Sequence, residues 1–460
     1  MGQSMVTVNT ADLQHQVTGQ VLGPEDAGYG AARQAWNLTV DQRPAVVLMA
    51  ATADDVAAGV RFAAASGLGV AVQATGHGVL LPADDALLIL TSGLNEVTVD
   101  AETGTAWVSA GAVWGDVLAK THPLGLTPLL GSSPGVGAVS YTLGGGMGWL
   151  ARKYGMASDS VLEFEVVTGT GEIVHASADE NPDLFWGLRG GGKGLAIVTR
   201  MCVRLFPVTT VYGGTLYYPI ARAREAFAFF RNWTRGLPDE WTTSIAIMHF
   251  PPIPEMPDFL RGRSFVMVNG CYTGDPAEGQ EEISQWKEWA EPLVDAFHPM
   301  PFSEVGTISN DPMDPTPGIS SGLWLGDLEE ETIDLLLRHG APNGSVGAFL
   351  KMELRHAGGA IARTTGDSGA YSHRAKTLLV QVVGLAFTPE HKAQVIEAVA
   401  SMKRDLRAHT SGAYMNFLEG HEAYADTRLG FSDTALQRLR ALKARFDPEN
   451  RFRYGFNLTG

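Results

Sequence analysis

The sequence predicts a chain of mixed helices and strands built in two parts, on three observations. Up to Pro207, short apolar strands alternate with helical patterns and are punctuated by glycine. Over 208–410 the helical patterns lengthen and glycine-rich, phosphate-type loops disappear. The stretch from Tyr414 to Asn457 then reads as a return to the first part. A chain of 460 residues is long enough for two substantial cores.

Ala45 to Met49 is an apolar run with strand character. Thr52-Ala53-Asp54-Asp55 has the form of a capping box, in which Thr52 satisfies a free backbone N–H and Asp55 sits in the first turn. Val56, Val60 and Ala63 follow at helical spacing, and Gly67 ends the helix. Val70 to Val72 is the next strand and runs directly into Gly76-His77-Gly78. A hairpin comes after it: Glu96 to Asp100, a turn at Glu102-Thr103-Gly104, then Ala106, Val108 and Ala110 alternating inward. From Gly131 to Gly192 glycine is dense enough to require close backbone approach or positive φ at several places. Val161 to Val167 and Leu195 to Val203 are too regular for that region to be a linker. Further on, Ala221 to Trp233, Pro389 to Leu406 and Leu436 to Phe446 have helical patterns, and Phe265 to Val268 and Thr377 to Val383 have strand patterns. Ile245 to Phe259 mixes Met, Phe, Pro and His, as the lining of an apolar pocket or as core.

Hydrophobic residues make up 45% of the chain and charged residues 18%, a balance that suits a globular protein rather than a disordered one. The net charge of -16 argues against nucleic acid as a partner, because phosphate binding needs clustered Lys and Arg. Cys202 and Cys271 are too few for a disulfide scaffold and read as core residues. Neither terminus has an apolar run of membrane-spanning length, so no membrane partner is expected and a cytoplasmic location is the default. Oligomeric state is not legible.

Gly131-Ser132-Ser133-Pro134-Gly135 matches the hydrolase pattern G-x-S-x-G, but Pro134 lacks the N–H that an oxyanion hole needs after the serine. Neither a phosphate loop of the G-x-x-x-x-G-K-[ST] type nor a regular dinucleotide fingerprint occurs. His77 is different. Its flanking glycines strip away steric cover, and nothing nearby supplies the further ligands a metal needs, so no metal is expected. An imidazole so exposed, in a loop able to cradle a diphosphate, suits covalent attachment to an electrophilic cofactor.

Several motifs carry a resemblance. They are Gln73-Ala74-Thr75-Gly76-His77-Gly78, Thr142-Leu143-Gly144-Gly145-Gly146-Met147-Gly148 with Arg152-Lys153-Tyr154-Gly155 behind it, Asp183 to Gly192, and Phe446-Asp447-Pro448-Glu449-Asn450-Arg451-Phe452. In this order, over nearly the whole chain, they resemble the FAD-linked oxidases of the berberine-bridge-enzyme and 6-hydroxynicotine-oxidase type. The resemblance implies a PCMH-type FAD-binding domain of two α+β subdomains and a substrate domain with an antiparallel sheet flanked by helices. The expected boundaries are 1–207 for the FAD-binding domain, 208–412 for the substrate domain and 413–460 for the C-terminal return.

By the same resemblance, His77 bonds the flavin 8α carbon, and Thr75, Gly76, Gly78, Thr142, Gly145, Gly146 and Gly148 belong to the cofactor site. Ser133 stands where many members have a second anchoring cysteine, so a single attachment is implied. Val136 falls at the position of the oxygen gatekeeper. The family's Asn-Phe-Gly loop reads Gly194-Leu195-Ala196 here, with Ile197 behind it at the cofactor, where main-chain contacts survive the change. Tyr141 replaces a histidine near the flavin N1–C2 edge, where a tyrosine still donates a hydrogen bond. Asn416 and Asn457 match asparagines on the pyrimidine side.

The motif Tyr-x-Asn-Tyr reads Tyr414-Met415-Asn416-Phe417, which removes the tyrosine that is a base in some members. Tyr414 and Tyr141 remain as candidate catalytic residues. Glu353 in Met352-Glu353-Leu354-Arg355-His356 is the substitute base, on one strand face with Arg355; a buried face raises its pKa, whereas an ion pair with Arg355 is the other reading. The expected activity is hydride transfer from a small apolar or aromatic alcohol or amine to the flavin and then to dioxygen. A polyketide-tailoring type of oxygenase and a flavin holder without turnover are the alternatives.

Overall fold

A computed structural model describes residues 8–344, 346–363 and 368–459, so the first seven residues and Gly460 of the expected segments lie outside the described residues. The first sheet contains β1 (Gln20–Leu22), β2 (Val46–Met49), β3 (Val70–Gln73) and β4 (Leu87–Leu90) in the order β1-β2-β4-β3. β2, β4 and β3 run parallel, which requires a crossover, and the helix Ala53–Ser66 supplies it between β2 and β3. The predicted capping box is present at Thr52 and Asp55, and Gly67 ends the helix in the left-handed region at φ 69°. Asp55 does more than cap: its buried carboxylate also accepts from the N–H groups of Thr18, Gly19 and Ala51.

The second sheet is antiparallel, in the order β5-β6-β9-β7-β8: β5 (Val97–Asp100), β6 (Thr105–Ser109), β7 (Val161–Val167), β8 (Ile173–Ser177) and β9 (Ile197–Arg204). Ala106, Val108 and Ala110 are buried, as their alternation predicts. The helix Asp433–Phe446 packs Leu436, Leu439 and Leu442 into the same core as Leu184, Leu188 and Phe164.

The third sheet holds β10 (Thr210–Pro219), β11 (Trp241–His249), β12 (Ser264–Tyr272), β13 (Val294–Asp295), β14 (His298–Pro301), β15 (Gly318–Leu325), β16 (Lys351–His356) and β17 (Leu378–Leu385). Its order is β13-β10-β12-β11-β16-β17-β15, with β14 also on β10, and every pairing is antiparallel. Alternation divides its two faces. Leu216, Ile245, Val268, Leu354 and Val380 meet Phe227, Phe230, Trp286, Leu336 and Val399 of the covering helices in one core. The opposite face carries Thr215, Ser244, Asn269, Glu353, Arg355 and Gln381.

The stretch Ile245 to Phe259 is not one pocket wall. To His249 it is β11; beyond, it is a surface loop with Ile253 and Phe259 exposed. Pro251, Pro252, Pro254 and Pro257 have no N–H to continue a ladder, and Arg261 holds the loop through the carbonyls of Ile253, Pro254 and Met256. Among the described residues no helix is long and apolar enough to cross a membrane.

Candidate cofactor and active site

The loop after β3 carries Thr75, Gly76, His77 and Gly78 into the lining of a cavity of about 130 Å³ between the first and second sheets, also lined by Ile197, Lys193 and Tyr454. The segment 35–38 fixes this loop. Trp36 N–H donates to the Thr75 carbonyl, and Asn37 N–H to the Gly76 carbonyl. Gly76 has φ 82°, and a Cβ there would lie 2.7 Å from Ala35 Cα, so only glycine lets the two segments meet. The Trp36 ring stacks on the imidazole at 4.0 Å and 15°, while Thr75 Oγ1 lies 2.7 Å from His77 Nδ1.

Burial and the nearby Lys193 charge pull the His77 pKa down to about 4, so the imidazole is neutral at pH 7. Lys193 donates to the Gly78 carbonyl at 2.7 Å, and burial lowers its pKa to about 8. Glu419 stands behind it: burial pushes this carboxyl up to about 8, although Ser320 N–H and Asn37 Nδ2 donate to it.

Ser133 and Tyr141 lie on the segment facing the third sheet. Both hydroxyls are buried with no hydrogen-bond partner among the described residues, and burial holds the Tyr141 phenol well above its usual range. The Tyr141 ring occupies the space beside Gly146, where a Cβ would come within 2.5 Å of it. Val136 is tied in through its carbonyl, which accepts from Trp114 N–H. Tyr414 is fully buried; its hydroxyl oxygen accepts from Met147 N–H at 3.0 Å and from Asn416 Nδ2 at 3.3 Å.

Opposite lies the polar face of the third sheet, whose Ser244, Glu353 and Arg355 line a second, small cavity with Trp149 and Arg152. A row of hydrogen bonds crosses six strands there. Thr215 donates to Asn269, Asn269 to Ser244, Ser244 to Glu353 at 2.7 Å, Arg355 to Glu353 and Gln381, and Gln381 to Ser320. Lys351 lies 3.3 Å from Glu353 and 3.7 Å from Asp311, which in turn accepts from Ser132 at 2.6 Å. The Arg355 guanidinium also lies over the Phe417 ring at 4.9 Å.

The expected site residues differ in their surroundings. Glu353 is buried and shares a face with Arg355, and of its two readings the ion pair is the one present: its pKa falls to about 2 instead of rising. Arg355, Lys351 and the Ser244 hydroxyl together outweigh the desolvation. A carboxylate so stabilised is a poor general base at neutral pH. Thr142 donates its hydroxyl to the Ala138 carbonyl inside its own helix, so that proton is not offered to a cofactor. Gly145, Gly146 and Gly148 are required by the chain's own packing: their Cβ positions are taken by Met156, Tyr141 and the Leu130 carbonyl. Asn416 commits Nδ2 to the Tyr141 carbonyl and Tyr414 hydroxyl. Asn457 does not line the cavity, and its side chain accepts only from Thr459 among the described residues.

Trp36, Lys193, Asp311 and Glu419 were not singled out in sequence. A lysine set between Gly192 and Gly194 was the one local signal; the others meet the site only through long-range folding.

Comparison with known proteins supports an FAD-linked oxidoreductase. Residues 44–177 match the family described as FAD binding domain. The (R)-6-hydroxynicotine oxidase of Paenarthrobacter nicotinovorans is 24% identical over 96% of this chain and 97% of its own. Two solved structures share the fold at TM-score 0.83 and 22% identity, each covering 96% of this chain and 98% of its own: 6-hydroxy-D-nicotine oxidase from Arthrobacter nicotinovorans and the glucooligosaccharide oxidase of Acremonium strictum, the latter described with a 6-S-cysteinyl, 8α-N1-histidyl FAD. Over nearly its whole length the chain is thus similar to FAD-linked oxidases, and residues 44–177 carry the FAD-binding match.

Proposed function

We propose that this chain holds FAD covalently through His77 alone, oxidises a small apolar or aromatic alcohol or amine, and uses dioxygen as acceptor. His77 carries the attachment: a neutral imidazole, stacked on Trp36 and pinned by Thr75, in the lining of the cavity between the first and second sheets. A neutral imidazole keeps a lone pair for bond formation, which an imidazolium lacks. The unpartnered Ser133 and Tyr141 hydroxyls fit a polar cofactor edge between the two segments. Ser133 has no thiolate to offer for a second bond. When bound, the flavin supplies the two-electron acceptor that side chains lack.

The chain's own residues bind and orient. Tyr414 already accepts two hydrogen bonds, so its remaining capacity is its own O–H. With Tyr141 it supplies phenolic donors toward developing negative charge. Glu353 stays ionised and accepts an O–H or N–H of the substrate, while Ser244 and Arg355 fix its two oxygens. The loop 311–316 is tied to the segment that holds the His77 loop, its Met313 carbonyl taking the Trp36 indole N–H.

Acid-precipitated protein should remain yellow, and His77→Ala should lose that colour. Anaerobic addition of aromatic alcohols and amines should bleach it, and air should restore it with release of hydrogen peroxide. Colour that washes out of acid-denatured wild type ends the covalent reading; a panel that never bleaches the protein ends the oxidase reading. Labelled dioxygen found in the product would replace oxidation by oxygen insertion.

A further inference from the structure

Lys193 is held at both ends. Its backbone lies between Gly192 at φ 79° and Gly194 at φ 117°, and its carbonyl accepts from Phe456 N–H at 2.9 Å. Its ammonium reaches 115 residues back to the Gly78 carbonyl, one residue beyond His77. Gly78 makes room for it, since a Cβ there would stand 3.2 Å from Nζ. Lys193 also lines the same cavity as His77, with the Glu419 carboxyl nearby. A long, entropically costly side chain is thus immobilised beside the attachment residue, in a place where no catalytic step on substrate needs it.

We propose that Lys193 is the positioning residue for covalent flavin attachment: by gripping the Gly78 carbonyl it preforms the His77 loop, so that the imidazole attacks from a fixed position. The inference rests on His77 being the anchor. In that step a bond forms between an imidazole nitrogen and the 8α carbon. One proton leaves that carbon and one leaves the imidazole; the ring system takes up both protons with two electrons, and dioxygen then accepts the two electrons and two protons as hydrogen peroxide. Fixed placement of the nucleophile is where a large part of such a barrier is removed. The ammonium's charge beside His77 works in the same direction, because it disfavours the imidazolium.

The test uses protein produced without flavin, then mixed with FAD. Covalent incorporation is followed by intact mass and by flavin fluorescence in denaturing gels. Affinity for 8-demethyl-FAD, which lacks the carbon to be attacked, is measured in parallel. Lys193→Met should slow incorporation at saturating FAD roughly tenfold or more while the 8-demethyl-FAD affinity stays within about threefold, and Lys193→Arg should recover most of the rate. Lys193→Met attaching FAD at the wild-type rate overturns the proposal. So does loss of 8-demethyl-FAD affinity with normal attachment at saturation, which makes Lys193 a cofactor-anion contact. If Lys193→Met does not fold, Lys193→Gln carries the same two measurements. Wild type that never retains flavin through denaturation refutes the His77 anchor itself, a separate result.

Discussion

The Trp36 ring lies flat against the His77 imidazole, 4.0 Å away and 15° from parallel, although 41 positions separate the two residues. The stack sets the plane of the ring while Thr75 sets its rotation about that plane. Trp36→Ala removes the first constraint and leaves the second. A stacked aromatic pair is worth about 1 kcal/mol. The covalently bound fraction after a fixed time should therefore fall about fivefold, read from acid-stable absorbance. An unchanged fraction would show that Thr75 and the glycines suffice.

Glu353 links stability to acid. Its carboxyl is at about 2 in the folded protein against an ordinary 4.5, so its stabilisation is fully present above pH 4.5 and is lost as pH falls toward 2. The span corresponds to about 3 kcal/mol. Glu353→Gln should cost about 3 kcal/mol at pH 7, because Arg355 and Lys351 lose their carboxylate. The difference from wild type should shrink steadily below pH 4.5 in urea titrations. A constant difference across pH would contradict this.

Glu419 has the opposite sign. Its folded carboxyl stands at about 8, so the stability it contributes is complete below about pH 4.5 and drains away as pH rises through 8. Glu419→Gln keeps an oxygen to accept from Asn37 and Ser320 but cannot ionise. The variant's Tm should match wild type near pH 4 and exceed it increasingly toward pH 8. Parallel Tm curves would rule this out.

Arg152 joins the glycine-rich segment to the third sheet. Its guanidinium donates to the carbonyls of Trp241, Ala357 and Leu237 and to His356 Nε2, all buried. Arg152→Met should lower unfolding free energy by about 3–5 kcal/mol. Arg152→Lys should recover little of that, lacking the planar fork. Denaturant midpoints with unchanged slope check both.

Local chemistry was legible in the sequence. The Thr52 capping box, the Gly67 stop, the inward alternation of Ala106 and Val108, and β7 from Val161 to Val167 all follow from neighbours within a few residues. His77 stood out because its glycines are adjacent. The charge state of Glu353 was not legible, since it depends on Ser244 from a strand 109 residues away and on Lys351 as well as Arg355. The glycines at 146 and 148 announced crowding correctly but not that Tyr141 and the Leu130 carbonyl take part in it. Lys193 shows only its flanking glycines in the sequence, and Glu419 shows nothing, until folding brings the two near each other.

The polar row across the third sheet has an evolutionary consequence. Lys351, Arg355, Glu353 and Asp311 offer two cations and two anions, each leaning on another. Replacing one strands its partner in a low-dielectric site, at a cost comparable to a large share of a domain's net stability. Single-step drift toward a new substrate is thereby blocked at this surface. Variation should move in compensated pairs, so that lineages diverging in specificity would exchange residues at 351, 353 and 355 jointly rather than one by one.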